Sequence, residues 1–69
     1  MTNLEQAQRV ATVSTETGKV SYWQHRTSVY RLNEYETVGF DIYGLPLGAR
    51  WECEVDHPYW KQMLATMAA

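Results

Sequence analysis

Residues 50–60 read RWECEVDHPYW and hold the chain's only cysteine, one of its two histidines and three carboxylates. Cys53, Asp56 and His57, with the distant His25, are the residue types that ligate metals. A structural zinc site needs four ligands, usually more than one of them cysteine, and this chain has only Cys53. The period-2 alternation of residues 50–56 also sends Cys53 and Asp56 to opposite sides of a strand. The expectation is therefore no metal site and no cofactor. A Cys–His nucleophile would need an exposed thiol of lowered pKa. Cys53 lies between the inward-facing Trp51 and Val55, and the charges of Glu52 and Glu54 raise a thiol pKa. Glu52 and Glu54 as an acid–base pair would need a cleft, for which a fold of this size has little volume. The chain has no G-x-G-x-x-G, P-loop or H-E-x-x-H pattern. No catalytic residue is assigned, and the protein is expected not to be an enzyme.

The elements that carry these residues follow from periodicity. Thr2 and Glu5 fit a capping box and suggest a short N-terminal helix through Gln8. Residues 10–15 and 19–24 are strand-like, with a turn at 16–18 and Gly18 in the positive-φ position. Residues 27–32 read as a third strand, although 28–35 can also be read as helical. Residues 37–43 form an expected fourth strand, with Val38, Phe40 and Ile42 on its core face. Residues 44–48 make a loop, because Pro46 cannot donate to a ladder. Residues 50–56 are the fifth strand, with Trp51, Cys53 and Val55 inward. Asp56 or His57 caps a C-terminal helix with Pro58 in its first turn. Trp60, Met63, Leu64 and Met67 form its apolar stripe. Short connections favour antiparallel pairing. The fold class is α+β: a small antiparallel sheet of four to five strands with a C-terminal helix packed on one face.

Sixty-nine residues make one domain, residues 1–69, of marginal stability. Without a disulfide or a metal, stability must come from self-association or from large side chains. The three Trp, five Tyr and three Met fit the second route. A net charge of −2 lacks the basic excess of a typical nucleic-acid binder. The N-terminus carries no apolar signal-peptide core, and no apolar run reaches the roughly 20 residues of a membrane span. A cytoplasmic protein that does not engage membranes is expected.

Residues 17–27, TGKVSYWQHRT, resemble the middle of a WW domain, where a turn leads into paired aromatics and then His-x-Thr. Residues 45–52, LPLGARWE, are similar to that family's opening Leu-Pro-x-Gly-Trp-Glu. The Leu-Pro segment here follows the hairpin instead of preceding it, and the closing Trp-x-x-Pro is missing, so no ligand site is carried across.

Two surfaces remain as binding candidates. Glu52, Glu54 and Asp56 point the same way at roughly 7 Å spacing, and Asp41 joins them if the fourth and fifth strands pair. The row, with Tyr35 and Tyr43, would engage another protein through a basic surface. The tyrosines are too many for one small core, which also suits a homodimer. A non-enzymatic interaction module is expected, in the manner of a regulator or inhibitor of a larger, nucleic-acid-handling assembly. The alternative is single-stranded nucleic acid, held by Arg9, Lys19, Arg26 and Arg31 and stacked on Tyr22, Trp23 and Tyr30.

Overall fold

The β-branched run before Gly18 and the aromatic run after it form a hairpin. In the computed structural model, which describes residues 6–36 and 39–68, β1 (Gln8–Thr15) and β2 (Gly18–His25) pair antiparallel around Glu16 and Thr17. Gly18 takes φ 131°, as the turn required. A second two-residue turn, with Arg26 at φ 57°, leads into β3 (Ser28–Asn33). One 3-10 turn, Glu34–Glu36, ends that segment, so residues 28–33 are strand and not helix. After the loop at 39–49 come β4 (Arg50–Glu54) and α1 (Pro58–Ala68). The sheet order is β1-β2-β3-β4, all antiparallel. The fold is a four-stranded antiparallel sheet with a C-terminal α-helix, a small α+β domain.

Register assigns the two faces. Val20 and Tyr22 of β2, Val29 of β3 and Cys53 of β4 point to one face and pack with Trp60 of α1. The Trp60 indole is 2% exposed, its ring centroid 5.3 Å from that of Tyr22. Ala11, Val13, Val55, Met63 and Met67 close the margins of this core. Of the expected helical stripe, Leu64 stays 38% exposed. The helix begins where His57 caps it, its Nδ1 accepting the Tyr59 N–H at 3.1 Å. Its carbonyl also accepts the N–H of Trp60 and of Lys61.

Ser21, Trp23, His25, Tyr30 and Leu32 belong to the opposite face, and the 39–49 loop covers it. Phe40 packs on Trp23 and Tyr43 on His25, with ring centroids 6.0 and 4.9 Å apart. Pro46 and Leu32 are buried there. A Cβ at Gly48 would come 3.3 Å from both Leu32 Cδ1 and the Glu36 carbonyl oxygen, so a larger residue there would make these neighbours give way by a few tenths of an ångström.

Three expectations are corrected. Residues 39–43 do not form the expected strand: Phe40 makes only an isolated bridge to Pro46, and residues 37 and 38 lie outside the described residues. The cause is Asp41, whose Oδ1 accepts the N–H of Tyr43 at 2.8 Å and of Leu45 at 3.0 Å. A side chain that takes its neighbours' donors replaces the ladder with a turn. Phe40 and Ile42, assigned to the core, are 58% and 83% exposed. In the second correction, the alternation of the last strand is broken. Val29 pairs with Cys53 but Tyr30 pairs with Trp51, leaving Glu52 as the extra residue of a β-bulge. Trp51 therefore faces away from α1 and is 59% exposed. Third, the N-terminal helix was expected through Gln8, yet Gln8 opens β1; its residues 1–5 lie outside the described residues.

Trp60 is the largest side chain of the core. Trp60→Ala should cost about 3–5 kcal/mol, a large share of the ~5–15 kcal/mol typical of whole domains. Urea unfolding should show that loss, and a far smaller one for Leu64→Ala.

Candidate protein-binding surface

The residues around Cys53 have structural tasks. Cys53 is 5% exposed beneath α1. Burial pushes its thiol up from the ordinary value, and the charges of Glu52 and then Glu54 push the same way. That is the opposite of what activates a nucleophile. His57 is engaged in capping the helix. Among the described residues, no group of three or more His, Cys, Asp or Glu is placed to hold a metal ion.

The acids expected to form one row are dispersed. Asp41 holds its own loop together. The bulge separates its neighbours: Glu52 Oε2 accepts the Tyr59 hydroxyl of α1 at 2.7 Å, while Glu54 faces Ser28 Oγ at 3.5 Å. Asp56 is exposed in the turn before the helix. Of the two tyrosines assigned with them, Tyr43 is half-buried on His25 and Tyr35 is 70% exposed. Tyr35 lies on the 3-10 turn near Gly18.

The residues of the nucleic-acid alternative are scattered as well. Tyr22 is 7% exposed in the core under Trp60, so its ring offers no stacking platform. Trp23 lies beneath Phe40 and donates its Nε1–H to Ser21 Oγ at 2.9 Å. Tyr30 is half-buried on the same face as Trp23. Arg9 pairs with Glu34 at 3.6 Å. Lys19 sits beside the first turn and Arg26 in the second, at opposite ends of β2. Arg31 leaves the helix-side face of β3, opposite to Tyr30.

What the fold does gather on one side is apolar. Phe40, Ile42 and Leu47 of the loop are 58%, 83% and 61% exposed, and Trp51 stands 59% exposed on the face over which that loop lies. The loop is braced from beneath. Asp41 N–H donates to the Leu45 carbonyl, Leu47 N–H to Gly39 and Gly44 N–H to Asp41. Ala7 N–H, just before β1, donates to the Tyr43 carbonyl at 2.7 Å. A loop tied this way presents its side chains with little entropy left to lose on docking. Reading by periodicity placed Phe40 and Trp51 inside. The signal that could have moved Phe40 and Ile42 outward was Asp41 followed by Gly44, a side-chain-capped turn.

No protein-family model matches the chain, and no curated protein or solved structure matches it at a significant level.

The Glu52–Tyr59 bond gives the site a titration signature. The Glu52 hydrogen bond, with burial and charge behind it, pushes the Tyr59 phenol from 10.0 up to about 12. Because the folded value is raised, the stabilisation it reports is full below pH 10 and disappears as pH rises through about 12. Absorbance titration of the phenols should show one tyrosine ionising near pH 12, and Glu52→Gln should return it toward the ordinary range.

Proposed function

We propose that this protein is a small non-enzymatic module that docks on another protein, through the 39–49 loop and Trp51. The observation that carries this is the exposure of Phe40, Ile42, Leu47 and Trp51 on the face away from α1. Large apolar and aromatic side chains held outward on a braced backbone are the usual composition of an interface centre. Glu54 and Asp56, both exposed, supply an acidic rim suited to basic residues of the partner. A chain of this size, with its apolar surface used for docking, fits a regulator or inhibitor of a larger assembly. Single-stranded nucleic acid has less in its favour, because Tyr22 and Trp23 are covered by Trp60 and Phe40.

The test uses the partner retained by the wild-type protein from native lysate, identified and then purified for calorimetry. Ile42→Asp with Leu47→Asp should weaken binding by about tenfold or more while the circular dichroism spectrum stays unchanged. Glu54→Lys with Asp56→Lys should cost about threefold, the size expected of exposed rim charges. Unchanged affinity in the Ile42/Leu47 variant would remove the apolar surface from the interface.

A further inference from the structure

A second surface, which meets the first at Gly48 and Trp51, lies at one end of the β3–β4 ladder. Arg31 and Arg50 are register partners there, so their side chains leave the same face with Cβ atoms about 4.5–5.5 Å apart. Like charges placed directly opposite destabilise a sheet. Relief would come from a carboxylate, and two are near: Glu36 and Glu52 line the same concavity of about 260 Å³ as the arginines and Asn33. Both are held by other donors. Glu52 takes the Tyr59 hydroxyl at 2.7 Å, and Glu36 takes Asn33 Nδ2 at 3.4 Å. Two arginines thus line one concavity, open to solvent, and neither is engaged in an ion pair among the described residues.

We propose that Arg31 and Arg50 form an oxyanion site that takes a phosphate monoester dianion. Each guanidinium carries a rigid fork of N–H donors. A tetrahedral dianion has oxygens for both forks at once and neutralises both charges, whereas the two oxygens of a monocarboxylate are satisfied by one fork. Glu36 and Glu52 line the same concavity and oppose any anion, a dianion more than a monoanion, so preference for the dianion rests on its oxygens meeting both forks at once. Arg31, Arg50 and Glu36 are exposed and Glu52 is half-buried, so solvent reaches the arginines.

Inorganic phosphate is the probe, titrated into the full 69-residue chain at about pH 7.5, where its dianion is the larger share; a phosphate monoester, with its second pKa of about 6, is almost wholly dianionic there. Ionic strength is held constant with sodium chloride so that general screening does not change. The readout is the arginine Nε–Hε NMR signals. Saturable shifts should appear at Arg31 and Arg50 and not at Arg9. Arg31→Gln or Arg50→Gln should weaken binding by about tenfold or more, the loss of one charged fork. Glu52→Gln should strengthen it by about two- to fivefold, the size of one exposed charge pair. A glucose phosphate binding like inorganic phosphate would mark the phosphoryl group as the whole determinant; tighter binding would show that the concavity also takes the attached group. Shifts that grow linearly without saturating, that persist in the double Arg→Gln variant, or that acetate reproduces equally would overturn the proposal.

Discussion

A sheet has two faces, and the described residues include one α-helix to cover them. α1 takes the face of Val20, Tyr22, Val29 and Cys53 and buries Trp60 there. The opposite face, with Trp23, His25 and Leu32, would be bare apolar and aromatic surface without a second layer. The 39–49 loop supplies that layer, and Asp41 makes it possible. By accepting two backbone N–H groups, Asp41 folds a segment of strand-like composition into a lid. Packing the lid has a cost: His25 Nε2 is buried under it with no hydrogen-bond partner among the described residues, which the Tyr43 ring contact helps to offset. A loop that covers one layer of residues cannot also bury its own outer side chains. The exposure of Ile42 and Leu47 follows from the same geometry.

The bulge at Glu52 has comparable reach. One extra residue in β4 turns Trp51 outward, frees Glu52 to meet Tyr59 at the start of α1, and sets Arg50 opposite Arg31. Without it, strict alternation would place Trp51 in the core and stack the carboxylates in a row. The bulge therefore exchanges a uniform acidic face for three local features: an aromatic on the lid side, a strand-to-helix link and a pair of arginines. The two surfaces proposed for binding both depend on it.

Much of the fold was legible because its signals are local. Gly18 and its β-branched flanks encode the first hairpin, Pro58 marks the helix start, and Trp60, Met63 and Met67 encode its buried stripe. The burial of Cys53 was legible too, since alternation already placed it on the core face. The candidate surface was far less legible. Phe40, Ile42 and Trp51 are apolar residues at strand-like spacing, and periodicity treats such residues as core. It cannot register a competing side-chain acceptor such as Asp41, nor an inserted residue such as Glu52, because each acts by changing which backbone groups pair.

By itself, then, the sequence determined the class of fold, the hairpin and the helix that Trp60 anchors, since propensity, turn chemistry and period all act within a few residues. Only the tertiary structure decided the faces. Whether Trp51 points in or out depends on its register against Tyr30, and whether residues 39–49 pair as a strand or close as a lid depends on contacts with Trp23, His25 and Leu32. Those partners lie 16–21 residues away in sequence, beyond the reach of any local pattern, and they decide what the protein shows to the outside.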